Sequence, residues 1–297
     1  MSQETADIKP PWTPLKIIQW AVPYLQQKGI SHPKLDVEIL LANALQIDRL
    51  KVYLQFDRPL DAQELASIRE LLKRRGQHEP LQYILGKREF FGLDFKTVPG
   101  VLIPRPETEQ LVEKTLEFLE ENPEGKRNVL DLGTGSGCIA IAIAQNISCR
   151  IWAVDLSARA LEVASENSQL LGDRKPIEWR QGDWFSALKT GDPEEFQVIV
   201  GNPPYIPLAE KMDLAREVRE YEPPEALFSG EDGLMAYREI AGNIEKRLAK
   251  GGAAFLELNA KGYDNISSLF RAKCPDLAQT LFRDLQGLPR VLKLEKS

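Results

Sequence analysis

The sequence has little with which to hold a metal. It carries two histidines, His32 and His78, and three cysteines, Cys138, Cys149 and Cys274, with no Cys-x-x-Cys pair. No spacing among them matches a metal site, so no metal is expected. Three scattered thiols do not make a disulfide framework and fit a reducing, cytoplasmic setting. Long apolar runs are missing too: none approaches the roughly 18 residues of a membrane span. Met1-Ser2-Gln3-Glu4-Thr5 lacks a basic segment followed by an apolar one, so neither a secretory signal nor a transit peptide is expected. A basic excess is also absent. The net charge of −6 argues against duplex DNA as the main partner, because neutralising phosphates needs a basic face. What is present is an ordinary globular balance, 43% hydrophobic and 28% charged over 297 residues, enough for one large domain or two.

The first part of the chain reads as helices. Leu15, Ile17, Ile18, Ala21, Val22 and Leu25 fall at helical spacing, with Pro23 as a kink and Gly29 closing the helix. Ser31-His32-Pro33 opens a second helix carrying Leu35, Ile39, Leu40, Ala42 and Leu45. Asp48 is placed to cap a short helix with Leu50, Tyr53 and Leu54, and Asp61 another through Leu65, Ile68, Leu71 and Leu72. Four short amphipathic helices make a small bundle with solvated charged faces. Lys73-Arg74-Arg75 is read as one of these faces, with a basic docking patch as the other reading. Tyr83-Ile84-Leu85-Gly86 and Phe90-Phe91-Gly92-Leu93-Asp94-Phe95 are aromatic segments punctuated by glycine, which predicts a β-hairpin linker. The expected divisions are 1–77 for the helices, 78–104 for the hairpin and 105–297 for the rest.

From Asn128 the pattern alternates. Strands are expected at 129–132, 151–155, 177–180, 196–200 and 253–258. Helices are expected up to Ile147, over 158–171 and over 234–248, with a loop from Asn202 to about Gly230. Such alternation predicts an α/β fold, a parallel sheet with helices on both faces. Leu281–Leu285 and Arg290–Leu294 flank Gln286-Gly287-Leu288-Pro289, a hairpin that adds an antiparallel edge.

Three strand ends carry ligand chemistry. Asp131-Leu132-Gly133-Thr134-Gly135-Ser136-Gly137 follows the first strand and opens a helix, where glycines let a ligand approach the backbone. Asp155 ends the next strand about twenty residues later, where a carboxylate accepts from ribose hydroxyls. Gly182-Asp183-Trp184 ends the third: Asp183 suits an exocyclic amine and Trp184 a purine face. A dinucleotide fingerprint would place glycine where Cys138 stands, and no Gly-Lys-Ser/Thr follows for a phosphate cradle. The closer glycine spacing, with Asp131 before it near a charged amino-acid end, favours S-adenosylmethionine. A purely structural glycine turn is the plainer alternative.

The fourth strand end is Gly201-Asn202-Pro203-Pro204-Tyr205. Two prolines make a rigid turn and remove two N–H donors. The Asn202 carboxamide oxygen and the Pro203 carbonyl remain as acceptors, with the Tyr205 ring beside them. Such a corner suits a planar NH2 group, which donates two hydrogen bonds. An ordinary proline turn is the plainer reading. Arg105, held between Pro104 and Pro106, is placed either to meet a ligand carboxylate or partner, or to sit as a surface arginine.

In this order the four motifs resemble those of S-adenosylmethionine-dependent methyltransferases. The Asn-Pro-Pro-Tyr type is shared by enzymes that methylate adenine, cytosine or glutamine nitrogens and does not separate them. Three further stretches are similar to the protein-(glutamine-N5) methyltransferases of peptide-chain release factors: Glu79–Gly86, Ile103–Glu109, and Glu222–Leu227 with Asp232-Gly233-Leu234. The resemblance runs from about Leu35 to Val291. It implies a helical N-terminal domain, a hairpin linker and a Rossmann-like seven-stranded methyltransferase domain; because that last domain is complete by itself, the helical one is expected to recognise the substrate. The implied substrate is the glutamine of the release-factor Gly-Gly-Gln loop. The chemistry of the residues themselves assigns catalysis to Asn202, Pro203 and Tyr205. Cofactor binding falls to Asp131, Gly133, Thr134, Gly135, Ser136, Gly137, Asp155, Asp183, Trp184 and Asn202. Substrate binding falls to Asn202, Pro203, Pro204, Tyr205 and Arg105. Phe255-Leu256-Glu257-Leu258 departs from the family pattern, since Asn259-Ala260-Lys261 stands where Gly and then Gln usually follow. Two alternatives stay open: methylation of a ribosomal-protein glutamine or of adenine in nucleic acid, and a cofactor-binding module without transfer activity.

Overall fold

The structure is a computed structural model that describes residues 11–123, 127–172 and 176–297. The N-terminal stretch Met1–Thr5 lies outside them. The chain runs α1 (Pro14–Gln27), α2 (Pro33–Ala44), α3 (Arg49–Leu54), α4 (Ala62–Gly76), α5 (Leu81–Leu85), β1 (Lys87–Phe90), β2 (Leu93–Lys96) and α6 (Glu109–Glu121). It continues β3 (Asn128–Leu132), α7 (Cys138–Asn146), β4 (Arg150–Asp155), α8 (Ala158–Leu170), β5 (Ile177–Gln181), β6 (Phe196–Gly201) and α9 (Arg216–Tyr221). Last come α10 (Met235–Ala241), α11 (Ile244–Arg247), β7 (Leu248–Glu257), α12 (Tyr263–Lys273), β8 (Leu277–Arg283) and β9 (Pro289–Lys296). These elements form two compact units. One holds residues up to Gly86 together with Arg216–Tyr221; the other holds Lys87–Ala215 and Glu222–Ser297.

In the helical unit, Thr13 caps α1 through its side chain and Pro14 takes the first position, where no N–H is needed. Ile17, Ala21 and Leu25 form its buried stripe. Asp61 and Glu64 close a reciprocal capping box on α4. Three expectations are corrected. Asp48 precedes α3 but makes no capping bond, and Leu50 and Leu54 of that helix are exposed. Tyr83-Ile84-Leu85 is helix and not hairpin: α5 buries Tyr83 and Ile84, and Gly86 ends it at φ 73°. Burial there overrides the strand propensity of the aromatic and β-branched residues. The third correction is Arg75, which is not part of a solvated face. Its Nε donates to Asp36 Oδ2 at 2.7 Å, and another guanidinium nitrogen donates to the Glu79 carbonyl at 3.0 Å and to Glu217 at 2.5 Å.

In the second unit, β1 and β2 form the hairpin, turning at Phe91-Gly92 with φ of 51° and 73°. The seven-stranded sheet has the order β5-β4-β3-β6-β7-β9-β8. The first five are parallel, and β9 and β8 join antiparallel, as the terminal hairpin predicts. Side chains alternate between two cores. Val129, Ala153, Val200 and Phe255 pack with α6 and α7; Leu130, Val154, Ile199 and Leu256 pack with α10, α11 and α12. A strand buried on both faces must be apolar throughout, which is why these read as continuous runs. The helix expected over 234–248 is broken into α10 and α11 at Gly242-Asn243. The stretch expected as loop contains α9, and α12 had no sequence assignment. Among the described residues no helix is long and apolar enough to cross a membrane, and no group of His, Cys, Asp and Glu could hold a metal ion.

Candidate active site

The predicted ligand residues cluster at the carboxyl ends of β3, β4, β5 and β6. Gly133, Gly135 and Gly137 have φ of 72°, 56° and 82°, so the chain leaves β3 through left-handed backbone that glycine favours. Gly133 and Thr134 both donate their N–H to the Val154 carbonyl at 2.9 Å, which folds the loop over the end of β4. Gly135 N–H donates to Asp155 Oδ2 at 2.8 Å and Ser157 N–H to Asp155 Oδ1 at 2.9 Å. Burial raises the Asp155 pKa, while these two donors oppose the rise. Trp184 sits at φ 43°, unusual for a non-glycine residue, three residues past the end of β5.

A cavity of about 480 Å³ opens here, lined among others by Gly133, Gly135, Asp155, Asp183, Trp184, Asn202 and Pro204. A smaller recess of about 30 Å³ shares Gly133, Gly135 and Asn202 and adds Thr134, Ser136, Arg105 and Thr108. Asp131 and Gly137 line neither. Asp131 is fully buried below the loop, where its Oδ2 accepts from Thr134 Oγ1 at 2.6 Å. Burial pushes its pKa to about 7. A Cβ on Gly137 would stand 2.9 Å from Ile141 and 3.0 Å from Ala164, so this glycine lets α7 and α8 approach.

The turn after β6 is held from both sides. A Cβ on Gly201 would stand 2.9 Å from the Leu132 carbonyl, and one on Gly233 would stand 2.5 Å from the Tyr205 carbonyl. Ile206 pairs with Leu227 and Ser229 through backbone bonds of 3.0 Å. Pro203 is buried, and neither it nor Tyr205 lines either of these two cavities. Tyr205 packs against the core, and burial pushes its pKa to about 12, so its phenol stays protonated. Asn202 Nδ2 donates to Thr108 Oγ1 at 3.1 Å. Arg105 grips Glu222 by two bonds of 2.6 and 2.7 Å, which makes it the anchor of a buried carboxylate and not a bare surface arginine.

Three residues of this region were not singled out in the sequence: Thr108, Glu222 and Glu257. The first two lie inside motifs read for other members. Glu257 had a signal of its own, a lone carboxylate closing the apolar run Ala253–Leu256. Asn259, where the family pattern departs, caps a short 3-10 turn that leads into α12.

The profile of the PrmC N-terminal domain matches residues 16–86, and that of the methyltransferase small domain matches 106–220. The release factor glutamine methyltransferase of Geobacter sulfurreducens is 43% identical over 260 residues, covering 87% of this chain and 88% of that protein. This chain belongs to the release factor glutamine methyltransferases. A member from Rhodopirellula baltica is 35% identical over 290 residues, 97% of each chain. A solved structure titled protein-(glutamine-N5) methyltransferase (release factor-specific), from Alicyclobacillus acidocaldarius, is 31% identical. It covers 68% of this chain and 99% of its own with a TM-score of 0.42, and the family assignment rests on the sequence relatives. The fold is accordingly that of the S-adenosylmethionine-dependent methyltransferases: a seven-stranded, mostly parallel sheet, here with the cavity at its carboxyl edge.

Proposed function

We propose that this enzyme transfers a methyl group from S-adenosylmethionine to N5 of the glutamine in the Gly-Gly-Gln loop of peptide-chain release factors, in the cytoplasm, supporting translation termination. Asn202 carries the reading. It stands on the cavity wall with its Nδ2 committed to Thr108, so its oxygen is the end left for a ligand.

The residues present fit the cofactor. A cavity of about 480 Å³ falls in the range of small-molecule sites. Each Asp155 oxygen receives one backbone N–H and retains a lone pair for a ribose hydroxyl. Gly133 and Gly135 leave room along the backbone. Asp183 would accept from the exocyclic amine and Trp184 would cover the purine. Thr134 and Ser136 would border the amino-acid end from the recess, with Asp131 and Gly137 acting through the loop they hold. When bound, S-adenosylmethionine supplies a methyl carbon made electrophilic by its sulfonium.

The protein's own task is the amide. Its nitrogen is a poor nucleophile because the lone pair is delocalised into the carbonyl. Asn202 Oδ1 and the Pro203 carbonyl would accept its two hydrogens and turn the lone pair into the cavity. Pro204 and Tyr205 would close the corner against the amide plane. Orientation of this kind lowers a barrier by on the order of 7–11 kcal/mol. An N-methylated, N-protonated amide is a strong acid, so the proton leaves after transfer without a dedicated base. Arg105 would meet substrate with the 30% of its side chain that stays exposed. The helical residues up to about 77 are assigned to gripping the folded release factor, since every residue lining the cavity lies between Gly100 and Ala226.

Mass spectrometry after incubation with S-adenosylmethionine tests the reading. One added methylene on the release factor is expected, and none when its Gly-Gly-Gln glutamine is changed to alanine. Modification of a ribosomal protein or of adenine-containing DNA instead would overturn the substrate. Cofactor binding with no transfer to any of them would overturn the activity.

A further inference from the structure

The two ends of an asparagine carboxamide have nearly the same shape, so packing alone does not choose which one faces a ligand. In this site the choice matters, because an oxygen accepts from a substrate NH2 and an NH2 repels it. The hydrogen bonds behind Asn202 supply a direction. Asn202 Nδ2 donates to Thr108 Oγ1 at 3.1 Å, and Thr108 Oγ1 donates onward to Glu257 Oε2 at 2.6 Å. A hydroxyl has one hydrogen. With that hydrogen spent on a carboxylate, Thr108 offers Asn202 only lone pairs, which attract its NH2 and repel its oxygen.

Resting on the methyl-transfer reading above, we infer that Glu257, acting through Thr108, is a positioning residue that decides which end of Asn202 meets the substrate amide. Both members are deeply buried, Thr108 at 2% and Glu257 at 3% exposure, so water does not compete for the relay. Glu257 ends β7 and Thr108 precedes α6, so the side chain that follows β6 is oriented by residues of two other elements. The Glu257 backbone is fixed separately, since its carbonyl accepts the Tyr237 hydroxyl at 2.7 Å.

The ionisable groups facing the carboxylate are Arg105 and Glu107 from the turn before α6, Arg290 from β9, Tyr205 after β6, Tyr237 from α10 and Cys138 from α7. Arg105 is paired with Glu222 and Arg290 with Asp284, and burial pushes the Glu257 pKa to about 7. A protonated Glu257 can itself donate to Thr108. The threonine hydrogen is then released to point at Asn202, which favours the flipped carboxamide. Turnover should therefore fall on the acid side.

The test compares Thr108→Val, Thr108→Ser and Glu257→Gln with the wild-type enzyme. Thr108→Val and Glu257→Gln should lower kcat on release factor by about 10- to 100-fold, as loss of a supporting hydrogen bond behind a reactive group does elsewhere. The KM and the S-adenosylmethionine Kd from calorimetry should hold. Thr108→Ser should restore most of the kcat lost in Thr108→Val. The acid limb of the wild-type kcat profile should vanish in Glu257→Gln. A second readout needs no turnover: the side-chain NH2 resonances of Asn202, assigned by their loss in Asn202→Ala, should titrate with the acid limb and stop titrating in Glu257→Gln. Full kcat in both variants, or Asn202 resonances that ignore Glu257, would overturn the relay in an active enzyme. A wild-type enzyme that leaves release factor unmodified would instead overturn the methyl-transfer reading, and with it the functional part of the relay.

Discussion

Two buried carboxylate arrangements, one taken from each unit, differ in what holds the charge. In the helical unit, Arg75 and Asp36 are both almost wholly buried and satisfy each other, with Glu217 as a third, more exposed partner. In the methyltransferase unit, Asp131 and Glu257 are buried with a threonine hydroxyl as their side-chain donor and no cation in an ion pair with either among the described residues. The first arrangement compensates charge with charge and suits a fixed scaffold. The second leaves a carboxylate whose protonation state stays within reach and whose hydrogen bond sets the orientation of a neighbour. Buried ionisable groups are therefore no single class. What the partner is decides whether the group serves rigidity or the site.

Substitution at Arg75 should break the first arrangement most severely. Arg75→Met strands the buried Asp36, and removing one member of a buried pair costs about 3–5 kcal/mol. Urea unfolding should show that loss, and a change below 1 kcal/mol would mean that water reaches the pair. Asn202→Ala should show the reverse pattern. It leaves Thr108 bound to Glu257, so stability should barely move, yet kcat should fall by about 10²–10³, as when one preorganised hydrogen-bonding group is removed from an active site. Near-full activity would refute the role assigned to Asn202. The smallest effect is a pH dependence. Glu257 has a folded pKa of about 7 against 4.5 for the ordinary carboxylate, so the folded state holds the extra proton. Its contribution to stability is thus fully present below pH 4.5, falls as pH rises from 4.5 to 7, and levels off above 7. The unfolding free energy of Glu257→Gln relative to wild type should rise across that window by about 1 kcal/mol per pH unit. A flat difference would show that Glu257 titrates normally.

Much of this was legible in the residues. The glycine turn, Asp155, Asp183 with Trp184, and Asn202 each follow an apolar run, and every strand end expected to carry chemistry lines the cavity. Thr108 was visible only as a member of a proline-bounded turn. Its partner Glu257 lies 149 residues away in sequence, a pairing that no local pattern encodes. The reading of Tyr83-Ile84-Leu85 as strand and of Arg75 as solvated failed for a shared reason: local propensity is weak against burial.

By itself the sequence determined the alternation of strands and helices, the backbone freedom of the glycine loop and the rigid acceptor corner at Asn202-Pro203. These follow from side-chain periodicity and from the dihedral limits of glycine and proline, which act over a few residues. Only the tertiary structure decided that Asp131 and Gly137 stand behind the cavity wall, that Arg105 is tied to Glu222, and that Glu257 stands behind Asn202. Which side chains become neighbours, and how much water they lose, depends on the packing of strands far apart in the chain. Desolvation and hydrogen-bond direction are properties of that packing.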